Sequence, residues 1–203
     1  MPGALRIIGG HFRGRKLRYG GDPRTRPMKD RVREAVFNLL GSDVQGKRVL
    51  DLFAGTGALG LEAMSRGARR AVFFEQHFPT AAIIRENIAT LAIEDSCEVI
   101  AANTFIQFRR YSHGTPQKSG DQPWLVFCSP PYDFYVDRRD DMLKLLSTIA
   151  AGAPPKSILV VEADARFDFA DLPQPQMWDA REYPPARIAM RWDEPEPETE
   201  TTS

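Results

Sequence analysis

The chain has 203 residues, 42% hydrophobic and 27% charged, which is enough for one folded α/β domain and excludes an intrinsically disordered protein. Its 27 basic and 27 acidic residues balance, no apolar run approaches the roughly 20 residues of a membrane span, and the N-terminus lacks the apolar segment of a secretion signal. Its two cysteines, Cys97 and Cys128, exclude a disulfide framework and a metal cluster, so we expect a cytoplasmic protein that needs no metal.

The chain begins with a basic arm. Residues 1–33 hold ten Lys or Arg and two acids, a net charge of +8, while the remainder carries −8. Two short strands around Gly9-Gly10 predict a hairpin. A basic arm on an acidic body is typical of a polyanion-binding surface, although it can also serve only solubility. We predict that residues 1–28 are an RNA-binding hairpin and connector, with contacts from Arg6, Arg13, Arg15, Lys16, Arg18 and Arg26.

Apolar spacing predicts a helix over 29–40 and then alternating strands and helices, which is typical of a doubly wound, mostly parallel sheet. Two more segments predict a final antiparallel pair, for seven strands in all. Residues 29–192 would form this domain, 111–123 a mobile loop, and 193–203, with five acids and no base, a disordered tail. The expected strands run through Val49 and Leu50 and over 71–75, 97–101, 124–128, 157–161, 177–183 and 186–192, with later helices after the first strand and at 79–91, 104–110 and 140–150.

A glycine-rich stretch, Asp51–Gly60, joins the first strand to its helix. Its glycines match G-x-G-x-x-G, which by itself also fits a nicotinamide dinucleotide site. Asp51 favours another cofactor, because a strand-end carboxylate would repel a pyrophosphate and attract the ammonium and sulfonium of S-adenosylmethionine. Glu75 ends the next strand, where it can accept from ribose hydroxyls. Without a ligand role, Asp51 would be a helix cap or a solvated carboxylate.

A second motif, Ser129-Pro130-Pro131-Tyr132, follows the fourth strand at the same edge of the sheet. The prolines restrict the backbone, so the Ser129 hydroxyl and the Pro130 carbonyl can face one point. There they could accept the two hydrogens of a planar exocyclic amine. Tyr132 offers a ring on which a base could stack. The simpler interpretation is a Pro-Pro turn with a packed tyrosine.

Together the two motifs resemble the amino-methyltransferases of nucleic acids and some proteins. The segments Arg6–Leu17, Thr25–Pro27, Asp30–Asn38 and Gly57–Ala63 resemble the RsmD family more specifically. That family methylates guanine N2 in bacterial 16S ribosomal RNA with S-adenosylmethionine. The resemblance implies a Rossmann-like class I methyltransferase fold, with helices on both faces of the sheet and a small N-terminal hairpin and helix extension. This chain departs from the family at two positions: it has Ser129 where the family usually has Asp, and Asn103 where the family often has Asp.

The motifs and the resemblance assign the candidate site. The expected substrate is ribosomal RNA or a small ribosomal subunit particle, and the protein is expected to be a monomer. The alternatives are a DNA adenine or protein glutamine methyltransferase, a non-catalytic RNA-binding or assembly module, and a nicotinamide oxidoreductase. The cofactor residues would be Asp51, Phe53, Ala54, Gly55, Gly57, Glu75, Asn103 and Thr104, and the catalytic residues Ser129, Pro130, Pro131 and Tyr132.

Overall fold

The structure, a computed structural model, describes residues 5–20, 28–113 and 122–193. Seven strands form one sheet: β1 (Arg48–Asp51), β2 (Arg70–Phe74), β3 (Cys97–Ile100), β4 (Trp124–Cys128), β5 (Ile158–Ala163), β6 (Asp179–Tyr183) and β7 (Ala186–Trp192). Their order is β3-β2-β1-β4-β5-β7-β6. Strands β1 to β5 are parallel, and β7 pairs antiparallel with both β5 and β6. The predicted mostly parallel seven-stranded sheet is confirmed.

Six α-helices accompany the sheet in the described residues: α1 (Asp30–Leu40), α2 (Ala58–Ser65), α3 (Phe78–Leu91), α4 (Thr104–His113), α5 (Phe134–Asp137) and α6 (Arg139–Gly152). Neighbouring residues of a strand face opposite sides, so Val49 belongs to a core with α1, α2 and α3, and Leu50 to a core with α4 and α6. Because both faces are covered, the central strands are apolar in their middle, and their charged residues, Arg48, Asp51 and Glu162, lie at or next to strand ends. None of the described helices is long and apolar enough to cross a membrane.

Several element boundaries differ from the sequence prediction. Helix α4 is longer than predicted, the short helix α5 was not predicted, and β5 continues two residues beyond Val161. Strand β6 begins at Asp179 rather than Met177. Apart from the additional helix α5, these differences lie at element ends, where tertiary contacts outweigh local propensity. The residues after β4 and at the end of β5 matter most, because they reach the cavity described below.

The predicted hairpin around Gly9-Gly10 is present, but its loop is wider than a tight turn. The arm has one antiparallel bridge, Arg6 with Lys16, and a wide loop between them. The physical reason is that the amides of Ile8 and Gly9 donate to the carboxylate of Glu62 on α2, each at 2.7 Å. Amides held by a helix side chain cannot pair across a tight turn.

The described part of the arm packs on the body of the domain. Leu5, Ile7 and Leu17 are buried in the core that contains α1, α2 and α3. The wide loop lies at the C-terminal end of α2, where the Phe12 amide donates to Ser65 Oγ at 2.9 Å. The predicted contacts Arg6, Arg13, Arg15, Lys16 and Arg18 are all exposed. Several predicted features lie outside the described residues: Arg26 with the connector residues 21–27, residues 114–121 of the predicted loop before β4, and residues 194–203 of the predicted acidic tail.

Candidate active site

One cavity of about 690 Å³ opens at the carboxyl ends of the parallel strands, where doubly wound folds bind ligands. The segments after β1, β2 and β4 line it, together with the end of β5 and the N-terminal part of α1. Asp51, Gly57 and Asn103 are not among its lining residues, although the sequence assigned them to the cofactor. The other candidate cofactor and catalytic residues line it: Phe53, Ala54, Gly55, Glu75, Thr104, Ser129, Pro130, Pro131 and Tyr132.

The three glycines after β1 have different roles. Gly55 and Gly57 have φ values of +50° and +73°, the left-handed region that glycine adopts without strain. Gly57 thereby starts α2 as its N-cap. Gly60 has ordinary φ, but a Cβ there would lie 2.3 Å from the Phe73 ring, so its missing side chain allows α2 to pack closely on β2. The loop therefore brings backbone and the start of α2 to the cavity.

Asp51 makes a contact that serves the fold. Its carboxylate is 1% exposed, and Oδ2 accepts a 3.0 Å hydrogen bond from the Gly60 amide in the first turn of α2. Burial raises the pKa of Asp51 to about 7; the Gly60 hydrogen bond opposes the shift and the charge of Glu75 adds to it. The contact in the structure is the helix cap, and the cofactor role of Asp51 stays a prediction.

Glu75 is held at the cavity wall by two backbone amides. Its Oε2 accepts from Gly55 N at 2.9 Å and its Oε1 from His77 N at 2.7 Å. Burial raises the pKa of Glu75, while these hydrogen bonds oppose the shift. Each carboxylate oxygen has a further lone pair, so the group can also accept from a ligand with two neighbouring hydroxyls.

An aromatic cluster forms another part of the wall. The rings of Phe53, Phe105 and Phe134 have centroid separations of 5.7 to 6.1 Å, and all three line the cavity. The guanidinium of Arg138 lies 4.1 Å from the centre of the Phe105 ring. The sequence prediction missed Phe105 and Phe134, although each comes shortly after the end of a strand. These rings provide an apolar surface for a planar group such as a purine.

The two polar residues beside this cluster contact the backbone. Asn103 Oδ1 accepts from Phe105 N at 3.0 Å and so caps the start of α4. The Thr104 hydroxyl donates to the Leu52 carbonyl at 2.6 Å. The Thr104 contact fixes the start of α4 against the segment after β1. The predicted contacts of Asn103 and Thr104 with an adenine stay predictions.

The Ser-Pro-Pro-Tyr turn contains a partner that the sequence prediction missed. The Ser129 hydroxyl donates to Glu162 Oε2, and the Tyr132 hydroxyl donates to Glu162 Oε1 at 2.8 Å. Glu162 is 6% exposed and lines the cavity. Val161 pairs with Cys128, so the next residues along β5 and after β4, Glu162 and Ser129, are neighbours. The sequence could have pointed to Glu162, because it is a third carboxylate at a strand end, after Asp51 and Glu75.

Charged and aromatic residues form the rest of the opening. Arg166 donates to Asp133 Oδ1 and to Asp164 Oδ2, both at 2.8 Å, which links the turn after β4 to the segment after β5. Lys29 and Tyr183 also line the cavity. Among the described residues, no group of three His, Cys, Asp or Glu side chains is arranged to hold a metal ion.

The chain is similar in sequence to bacterial proteins over most of its length. YlbH of Bacillus subtilis (strain 168) is 32% identical over 145 residues, which are 71% of this chain and 73% of YlbH. Ribosomal RNA small subunit methyltransferase D of Escherichia coli (strain K12) is 40% identical over 130 residues, 64% of this chain and 61% of that protein.

Solved structures have the same fold. The Escherichia coli protein yhhF superimposes with a TM-score of 0.75 and 28% identity, over 96% of this chain and all of that chain. An RNA methyltransferase from Salinibacter ruber, solved with S-adenosyl-L-homocysteine, matches with a TM-score of 0.59 over 88% of this chain; its 16% identity shows the fold alone. The family model described as conserved hypothetical protein 95 matches residues 5–191, and the chain therefore belongs to this family, that of the RsmD-type methyltransferases.

Proposed function

We propose that the protein is an S-adenosylmethionine-dependent methyltransferase that modifies the exocyclic N2 amine of a guanine in bacterial 16S ribosomal RNA. The observation that carries the proposal is that one cavity contains both the glycine loop with Glu75 and the Ser129–Tyr132 turn. The name of the Escherichia coli relative, ribosomal RNA small subunit methyltransferase D, supports this substrate class.

The cofactor half of the cavity fits S-adenosylmethionine. The fixed carboxylate of Glu75 can accept from the two ribose hydroxyls, and the rings of Phe53, Phe105 and Phe134 can enclose the adenine. The backbone of Ala54 and Gly55 lies beside Glu75, where the methionine part would pass. When bound, the cofactor supplies a methyl group that its sulfonium has already activated, so the protein contributes mainly position.

The base half lies at the Ser129–Tyr132 turn. Ser129 Oγ and the Pro130 carbonyl would accept the two hydrogens of the guanine amine and so direct its nitrogen lone pair toward the methyl group. Tyr132 would stack on the base after it leaves the RNA helix. The transfer would form the bond from nitrogen to the methyl carbon as the sulfonium–methyl bond breaks, and the nitrogen would then lose a proton to water. This arrangement needs no nucleophile from the protein.

The basic arm would bind RNA away from the cavity. The arm's wide loop contacts the C-terminal end of α2, whereas the first residues of α2 line the cavity. The eight residues of α2 span about 12 Å. RNA held by Arg13 and Lys16 would therefore contact the protein at two separated places. We also propose that the monomer acts in the cytoplasm, on free ribosomal RNA or on the small-subunit particle.

The proposal is tested on ribosomal RNA and on purified protein together. Mass spectrometry of 16S RNA from cells without the gene should show one N2-methylguanine fewer, and the purified protein with S-adenosylmethionine should restore it. A protein with Ser129→Ala should restore it much more slowly. If the purified protein binds cofactor and RNA but transfers no methyl group, the non-catalytic assembly module becomes the better account. Restoration at an adenine instead would reject the guanine assignment.

A further inference from the structure

We propose that Glu162 is a positioning residue: it holds the hydroxyls of Ser129 and Tyr132 as donors, so that Ser129 Oγ presents its lone pairs to the amine of the target base. The inference rests on the proposed function and extends it to a residue outside the Ser-Pro-Pro-Tyr motif. It also explains how a neutral serine can act where the family usually has a carboxylate.

The geometry gives each oxygen of Glu162 one partner. Oε2 accepts from Ser129 and Oε1 accepts from Tyr132, and these two residues flank the Pro-Pro step. An ionised carboxylate can only accept, so both hydroxyl hydrogens must point to it. The Ser129 oxygen can then present its lone pairs to a donor on another side. The position of Glu162 follows from the parallel register of β4 and β5.

A serine without such a partner would orient the amine poorly. Its hydroxyl can rotate and point its hydrogen at the amine, which would oppose the approach of another donor. The bond to Glu162 removes that rotamer. It also polarises the O–H bond, because a hydrogen bond to an ionised acceptor is roughly twice as strong as a neutral one. Ser129 and Glu162 together thus do part of what a single aspartate does at this position.

Other charged groups near Glu162 are already paired. Arg166 on the cavity wall is bonded to Asp133 and Asp164. Tyr135 is buried behind the turn, next to Cys128, and the charge of Glu162 raises its pKa further above the level that burial and Cys128 set. Burial raises the pKa of Glu162 itself, and its bonds to Ser129 and Tyr132 oppose that shift. The two hydroxyls are therefore the groups that stabilise the ionised form.

The first test is a double-mutant cycle on the rate of single-turnover methyl transfer to 16S RNA. Glu162→Gln in the wild-type background should lower the rate tenfold or more, whereas in a Ser129→Ala background it should lower it less than threefold. The matched control is Glu98→Gln, an exposed carboxylate on β3, which should leave the rate unchanged. Equal losses in both backgrounds would overturn the proposal, because Glu162 would then act without Ser129. If the wild type itself transfers no methyl group, the proposed function fails instead.

A Ser129→Asp background should reverse the sign of the effect. Two adjacent carboxylates repel and one of them takes up a proton, so Glu162→Gln should raise the rate or leave it unchanged in this background. A purely structural role for Glu162 predicts a loss in every background. Glu162→Asp gives a second variant that keeps the charge but withdraws it from the hydroxyls, and it should be as slow as Glu162→Gln. Full activity of Glu162→Asp would also overturn the proposal.

The last measurement does not depend on activity. The pKa of Glu162 can be followed by NMR of protein labelled with ¹³C in its glutamate side chains. Ser129→Ala and Tyr132→Phe should each raise this pKa, since each removes a hydrogen bond to the ionised form. Melting temperatures of the same variants check that they fold. An unchanged pKa in both folded variants would show that the hydroxyls do not hold Glu162, and the inference would be wrong.

Discussion

Asp51 and Glu162 lie at the ends of β1 and β5 and have different hydrogen-bond partners. Both are buried, at 1% and 6% exposure. Their side chains lie on the same face of the sheet, since Val49 and Val160, two residues before each, belong to one core. The Asp51 carboxylate accepts from the backbone amide of Gly60, whereas the Glu162 carboxylate accepts from two side-chain hydroxyls on the cavity wall. One carboxylate contacts the start of α2, and the other contacts the turn after β4.

The difference comes from what surrounds each strand end. After β1 the chain turns directly into α2, whose first-turn amides need acceptors and lie above Asp51. After β5 the next helical element along the chain begins only at Phe169, and Glu162 accepts from two hydroxyls of the turn after β4. The hydrogen-bond partner of a strand-end carboxylate therefore depends on which donors lie near it. Four predictions test the contrast, beginning with the largest expected effect.

Replacing Asp51 by Asn should stabilise the protein at neutral and alkaline pH. The native pKa of about 7 lies above the ordinary value of 3.8, so wild-type stability falls as pH rises between about 4 and 7. A shift of about three pH units corresponds to at most about 4 kcal/mol. Asn keeps an acceptor for Gly60 without the charge. Urea unfolding at several pH values should show curves that meet near pH 4 and diverge above it, and parallel curves would show that Asp51 is not the titrating group.

Tyr132→Ala should have the largest effect on catalysis. The change removes the stacking ring, with stacking contributing about 1–3 kcal/mol, and also one hydrogen bond of about 1 kcal/mol to Glu162. We expect a roughly hundredfold lower single-turnover rate. Tyr132→Phe, which keeps the ring and loses only the hydroxyl, is the matched control and should lose roughly tenfold or less. If both variants have the same rate, the ring does not stack on the base.

Cofactor binding should separate Glu75 from Asp51. Glu75→Gln removes a charged acceptor on the cavity wall, so the affinity for S-adenosylmethionine should fall about tenfold or more, as expected for about 1.5–3 kcal/mol. Asp51→Asn should change it less than about threefold, since its carboxylate accepts from Gly60 rather than facing the cavity. Calorimetric titration measures both. A loss for Asp51→Asn as large as that for Glu75→Gln would support direct contact of Asp51 with the cationic part of the cofactor.

The smallest expected effect concerns the basic arm. Changing Arg13, Arg15 and Lys16 to Gln should weaken RNA binding severalfold. The slope of the logarithm of the binding constant against the logarithm of the salt concentration should become shallower by roughly 0.7–0.9 for each phosphate that the arm no longer neutralises. Because the arm loop is about one helix length from the cavity, cofactor affinity and the rate with bound RNA should not change. The control is neutralisation of three exposed basic residues elsewhere: Arg69, Arg110 and Lys144. RNA binding curves parallel to wild type at all salt concentrations would leave the arm only a solubility role.

The sequence by itself determined the fold and the location of the site. Apolar runs that alternate with segments of helical spacing predicted seven strands with helices between them. Strands need such runs because they are buried on both faces of the sheet. The glycine loop and the Ser-Pro-Pro-Tyr turn were recognisable because each depends on local backbone geometry. Parallel strands then bring both motifs to one edge, where they line the same cavity.

Only the tertiary structure decided which donor each carboxylate meets. Glu162 is 33 residues from Ser129 in sequence and becomes its neighbour through the pairing of β4 with β5. Which amide Asp51 accepts from depends on packing, because α2 lies close enough to bring the Gly60 amide within 3.0 Å. The hairpin of the arm has a wide loop for the same kind of reason, since the Glu62 carboxylate accepts from the amides of Ile8 and Gly9. Partners distant in sequence depend on register and packing, and neither can be predicted from local residue patterns.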